Sequence, residues 1–241
     1  MSNKLIFIIP AFLIFGSAAM SQNAVIRGEF GAGTFYMKDL KAFQTSMIPD
    51  LGVNIESISK FPPYIGYGLS MVYSINSKMG LGITGDFFST GGRNYYKDYS
   101  GSYSFDLLAH AFNIGAVLSF TQITSSHLTT YIEIQEGVKI SKLTMSEKII
   151  ITDPVTSESY DLKSTSFWIK PGYRIEFKLF KGFSAGAFLG AEFNPGSILH
   201  LEGNSDATLR NKDGNLVHIN WSGLRFALYF SGNLSDLQSD Y

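Results

Sequence analysis

Ten charged residues recur at alternate positions within otherwise apolar segments: Arg27, Glu29, Asp86, Glu133, Lys139, Lys170, Arg174, Glu176, Glu192 and Arg225. Both signs are present in similar number, so these side chains could grip a ligand by charge or pair with one another in a narrow polar interior. The histidines His110, His127, His200 and His218 are the remaining groups suited to acid–base or metal chemistry. None stands in an HExxH or other close metal-ligand spacing. His218 and Ser222 fall on one face of a strand, but i to i+4 in a strand spans about 13 Å, too far for the imidazole to take the hydroxyl proton. Glu192, the nearest acid on the preceding strand, faces the other way. No GxSxG, phosphate loop or dinucleotide fingerprint occurs. The chain is therefore read as a non-enzyme with no catalytic, metal or cofactor residues.

Charges at every second position need strands to carry them. The last segment, residues 220–230, shows the pattern most clearly. Leu224, Phe226, Leu228 and Phe230 occupy one face, and Gly223, Arg225, Ala227 and Tyr229 the other. Seven more segments alternate similarly, at about residues 24–36, 64–75, 79–90, 104–121, 128–143, 164–180 and 183–193. Their connections alternate too. Tight turns fall at 76–78, near Ser125-Ser126 and at Lys181-Gly182, whereas the links 37–63, 91–103, 144–163 and 194–218 are long and polar or aromatic. Within the first long link, Leu40, Phe43 and Met47 share a helical face between Asp39 and Pro49, which predicts a short amphipathic helix, and a second helical turn is expected near residues 54–59.

The 241 residues include no cysteine, which excludes a disulfide framework and thiolate metal sites. A formal charge of −1 without any Lys/Arg block gives no reason to expect nucleic acid as a partner. At the N-terminus a basic start, an apolar run from Leu5 to Phe15 and a small-residue exit read as a signal peptide over residues 1–21, leaving 22–241 as one domain. No later segment approaches the ~20 apolar residues of a membrane-crossing helix, so a spanning protein would have to be a closed barrel.

All long links at one end is the habit of outer-membrane barrels, with short periplasmic turns and long extracellular loops. A soluble lipocalin-type barrel would need an apolar interior and a polar exterior. Here one face collects the ten charges and many glycines. The other is nearly free of charge and has aromatics near strand ends, among them Tyr36, Tyr67, Tyr73, Phe120, Phe167, Phe183 and Phe230. The expected fold is all-β: an eight-stranded antiparallel up-and-down transmembrane β-barrel with a charged network in its lumen. Because eight strands leave an interior just wide enough for side chains, a filled lumen is expected over a continuous pore.

The pattern resembles the small outer-membrane barrels of the OmpA transmembrane domain and OmpX class, over the whole chain after the signal peptide. That resemblance implies an exported protein of the Gram-negative outer membrane, in contact with outer-membrane lipid and, during insertion, with the barrel-assembly machinery. It implies a structural, adhesion or envelope-interaction role, with a surface ligand or protein met through the long loops. The alternatives it leaves are a narrow pore, a ligand-binding barrel, or a lipid-A-modifying enzyme. Four features depart from the pattern. Glu136 falls on the apolar face, which predicts a bulge or register shift there. Pro171 interrupts a strand that has no free edge, which predicts a bulge at Pro171-Gly172. Phe188 falls on the polar face, filling space beside glycines. A mostly polar tail follows Phe230, which is taken as the strand end.

Overall fold

The computed structural model describes residues 24–48, 56–58, 61–99, 101–150 and 155–234. The first 23 residues, including the expected signal peptide, lie outside the described residues.

Eight strands close into a ring: β1 (Ala24–Gly33), β2 (Gly66–Asn76), β3 (Met79–Lys97), β4 (Ser102–Thr124), β5 (Leu128–Ile150), β6 (Val155–Phe180), β7 (Phe183–Glu192) and β8 (Gly223–Asn233). Each pairs antiparallel with its chain neighbours, and β8 pairs with β1 to complete the circle. This is an up-and-down barrel, as the alternating pattern predicts. The short turns around Ser77, His127 and Gly182 share one rim with Val25 and Asn233, so the start of β1, the end of β8 and these tight turns lie at the same end, here called the lower end.

The sequence pattern places the strand faces correctly but shortens the strands. Two of the four expected long links are wall: β3 runs on to Lys97 and β4 begins at Ser102, while β5 and β6 continue to Ile150 and from Val155. The alternation does not stop in residues 91–103 and 144–163; it changes sign, so a pattern sought as apolar outside and polar inside reads as ending there. Elsewhere β1 ends at Gly33 rather than near Tyr36, and β8 runs from Gly223 to Asn233, past the expected end at Phe230. Ser231 lies buried inside the barrel, which is why a polar residue continues the strand.

The expected helix forms as α1 (Lys38–Ser46), with Leu40 and Phe43 buried. The helical turn expected near 54–59 is instead a short strand, Glu56–Ile58, paired to the upward extension of β3; residues 49–55, 59 and 60 lie outside the described residues. Neither predicted bulge occurs. Glu136 stays in continuous register, opposite Ala116 on β4 and Ile169 on β6. Pro171 keeps register with Ile134 on β5; toward β7 the ladder merely skips it between the Gly172–Gly190 pair and the Ile169–Phe193 bridge. One missing N–H costs a single rung, whereas a bulge would turn every later side chain to the wrong face. The register shifts that do occur among the eight strands of the ring, at Ser74/Asn76, Thr121/Ile123 and Lys178/Phe180, sit at the lower rim, where they disturb nothing above.

Around the lower two thirds of the wall the outer face is an apolar band. On β4 it reads Phe112, Ile114, Ala116, Leu118 and Phe120, and on β8 Leu224, Phe226, Leu228 and Phe230. Its upper limit follows one row of paired residues, Ser89, His110, Lys142 and Lys163, just above Phe87, Phe112 and Ile140. Above that row the strands turn inside out. The inward residues of β4 become Ala109, Leu107, Phe105 and Tyr103, all buried, and the outward ones Leu108, Asp106 and Ser104, of which Leu108 alone is apolar.

Candidate functional site in the barrel lumen

All ten charges anticipated from the sequence project inward, because each stands on the parity opposite the apolar band. They form two linked clusters with no net charge between them. In the lower cluster Glu133 accepts from Arg27 Nη1 at 2.7 Å on one oxygen and lies 2.9 Å from Arg174 Nε on the other. Arg174 Nη2 donates to Glu29 at 2.9 Å, and Ser70 Oγ donates to the same carboxylate oxygen. Glu176 accepts from the hydroxyls of Tyr229 and Ser231 at 3.2 and 3.3 Å. In the upper cluster Asp86 accepts from Lys170 at 2.8 Å and from Asn113 at 2.6 Å. Glu192 is held between Lys139 and Arg225, and Arg225 also donates to the backbone carbonyls of Thr34 and Trp221.

Sequence reasoning named the charges and missed the rings between them. The Arg174 guanidinium lies 4.2 Å from the Tyr229 ring centroid and 5.3 Å from that of Phe188, and Arg225 lies 4.9 Å from Phe35 and 5.2 Å from Phe88. Lys139 and Lys170 face Trp221 and Trp168 at 5.3 Å each. Each of these four cations therefore has an aromatic face as well as a carboxylate, which offsets part of its desolvation. Space for these rings comes from glycines. A Cβ at Gly172 would stand 2.3 Å from the Phe188 ring, and one at Gly66 2.4 Å from Phe88. The signal was legible as Gly-rich stretches opposite a lone inward aromatic; for Phe188 the expected space-filling is what the geometry shows.

Above the charges lies an apolar cap. Phe35, Met37, Leu40, Phe43, Phe61, Leu199, Ile219 and Trp221 pack against the inner face of the extended wall. Trp221 meets Phe35 edge to face at 5.1 Å and donates its indole N–H to Ser141 at 3.0 Å, joining cap to network. The helix is tied down by Gln44 and Asn94, which exchange two hydrogen bonds, and by Asp39, which accepts from the backbone N–H of His218. At the tip of this cap region Tyr103 is buried, and burial together with nearby Glu147 pushes its phenol up to about 12. Below the charges the lumen widens into an open cavity of about 790 Å³ reaching the lower rim.

The histidines are dispersed. His218 pairs with Asp39 at 3.1 Å, while Ser222 Oγ exchanges hydrogen bonds with the backbone of Asn194, so histidine and hydroxyl serve different partners. His110 stacks on Phe87 on the outer face, His200 meets the Ser205 carbonyl, and His127 lines the lower cavity. Among the described residues no group of three or more metal-ligating side chains converges. The arrangement can hold itself shut, and it offers a one-sided cavity below.

No family model and no curated protein matches this chain. Among solved structures it is similar to Ail, the attachment invasion locus protein of Yersinia pestis, at 15% identity over 88% of this chain and 98% of that one, with a TM-score of 0.37. Neisserial surface protein A matches at 9% identity over 87% and 96%, with a TM-score of 0.42. A major outer membrane protein from Thermus thermophilus matches at 11% over 87% and 98%, with a TM-score of 0.43.

Proposed function

We propose that this chain is an integral protein of the Gram-negative outer membrane, of the small OmpA/OmpX-like kind, exported by a cleaved signal peptide over residues 1–21. Its lumen network holds the barrel together, and its raised, capped wall acts outside the cell in adhesion or envelope interaction. The observation that carries this reading is the reversal of polarity along single strands. Residues Phe112 to Phe120 of β4, at about 3.3 Å each and a tilt of about 40°, give an apolar face about 20 Å tall, close to the band of such barrels. Water would not favour that face, and lipid would not favour the polar one above it. Among the described residues no helix is long and apolar enough to cross a membrane, so the crossing falls to the strands.

The partners of this reading are outer-membrane lipid around the band, the assembly machinery during insertion, and a surface ligand or protein met by the upper wall. A passage through the barrel is disfavoured by ten balanced charges beneath an apolar cap, and no catalytic step is assigned. Three measurements test the reading. The protein should fractionate with outer membranes and shift its gel mobility on heating; failure of both overturns the barrel in lipid. Replacing residues 146–159 by a tight turn should preserve the heat shift while abolishing surface binding; binding that survives this deletion overturns the role given to the raised wall. Planar bilayers should show no conductance steps.

A further inference from the structure

Glu136 is the one acidic or basic side chain among the outward positions of the apolar band in the described residues, and it stands at its centre. Its own strand places Ile132 and Ile134 below it and Val138 and Ile140 above. It is exposed, in unbroken register, and no ion pair or hydrogen bond joins it to the rest of the chain among the described contacts. The side chains facing it are uncharged: Ile114, Ala116 and Leu118 from β4, and Phe167, Ile169 and Pro171 from β6. The nearest titratable groups on the same outer faces are Tyr173 below and His110, Lys142 and Lys163 above. Acyl chains offer a carboxyl nothing, so in lipid this residue is costly unless something else meets it, and such residues mark functional positions.

We propose that the outer face of β4, β5 and β6 is the interface with a second copy of this chain, in which the two Glu136 carboxyls meet across a two-fold axis and hydrogen-bond through a shared proton. The inference rests on the band facing lipid. A second copy suits the surface in polarity and in shape. In polarity, it brings to each lone carboxyl the one carboxyl of its own band, and two such groups can hydrogen-bond to each other. In shape, an axis beside β5 and along the barrel sets β4 of one copy against β6 of the other, because a two-fold contact is self-complementary only when each side meets its opposite. Small Ala116 lies on one side of Glu136 and bulkier Ile169 on the other. The low side of each barrel therefore receives the high side of its partner, and close packing between apolar surfaces in lipid depends on such relief.

The chain contains no cysteine, so single cysteines report cleanly. Val138→Cys lies one outward position above Glu136, and Phe30→Cys lies on β1 at the far side of the ring. In proteoliposomes of the purified full chain, a short thiol–thiol cross-linker should give dimer from Val138→Cys and none from Phe30→Cys. Adding Glu136→Leu should cut the Val138→Cys dimer at least tenfold, and Glu136→Gln, which keeps a donor and an acceptor, should retain it. Absence of a Val138→Cys dimer, or a dimer indifferent to Glu136→Leu, overturns the proposal. So does cross-linking in cells to a different protein with none between purified copies. The heat-shifted mobility of each variant is read alongside. Its loss in the parent protein strikes the membrane reading itself, whereas its retention without cross-linking strikes only the pairing of copies.

Discussion

The outer face of strands β3 to β6 changes from apolar to polar along their length, and β4 displays both within one chain segment. Below His110 its inward residues include Asn113 and Ser119 and its outward ones Phe112 and Ile114; above, the inward residues are Phe105 and Leu107 and the outward ones Ser104 and Asp106. Hydrogen bonding and register run unbroken through the change. In the proposed membrane setting, what differs is the solvent on the outer side. A strand in lipid keeps its grease outside and must find partners for whatever polar groups face the lumen, while a strand in water packs its grease inward, as any soluble sheet does. Backbone geometry is indifferent to the choice, and side-chain parity alone carries it.

Arginine–carboxylate pairs on the two sides of this boundary should differ most. Arg174 is fully buried between Glu133 and Glu29, whereas Arg93 and Asp106 pair at 2.5 and 2.9 Å on the outer face of the upper wall with Arg93 more than half exposed. Arg174→Met should cost about 3–5 kcal/mol in denaturant unfolding of the detergent-folded barrel, because Glu29 loses its cation and Glu133 loses one of two. Arg93→Ala should cost under about 1 kcal/mol and lose even that in high salt. Equal losses would mean that the lumen is as wet as the surface.

A lysine scan of the outer face reads the boundary directly. Ile114→Lys, inside the band, should destabilise the bilayer-inserted protein by about 2–4 kcal/mol, and Ser104→Lys, above it on the same strand, by no more than about 0.5 kcal/mol. If both cost the same, the band is not where lipid ends.

The smallest effect belongs to the cap. Tyr103 holds its proton to about 12, so its native state favours the neutral phenol. Below about pH 10, the ordinary tyrosine value, that preference is fully present; it fades as pH rises through about 12. The difference in absorbance at about 295 nm between the parent and Tyr103→Phe, which isolates this phenol, should rise late in the native protein and near 10 once unfolded. Ionisation at the ordinary value would place Tyr103 in water and open the cap.

Parity made most of this readable. Arg27 and Glu29, or Arg174 and Glu176, announce their common side by spacing alone, since a strand offers two faces. Which carboxylate meets which cation was not readable, because partners such as Arg174 and Glu29 are brought together by ring closure rather than by sequence. The upper wall escaped for a physical reason. Its alternation is as regular as that below, but its sign is reversed, and a template that fixes apolar as outward reads the reversal as the end of the strand. Glu136 and Pro171 were expected to bend the backbone. Each instead keeps its rung position, because slipping the register would misplace a whole strand for the comfort of one residue.

The long reach of the lumen pairs also bears on the order of assembly. Arg27 finds Glu133 across 106 residues, and Arg174 finds Glu29 across 145. The carbonyl of Thr34, which receives Arg225, lies 191 residues before it. Contacts of such sequence separation form late and slowly. A partly assembled sheet therefore carries unmatched charges along its inner face, and Glu192 gains its second cation only when the final strand docks. Completion of the ring and neutralisation of its interior are one event, so a chain lacking its last strand would be marked as unfinished by its own electrostatics.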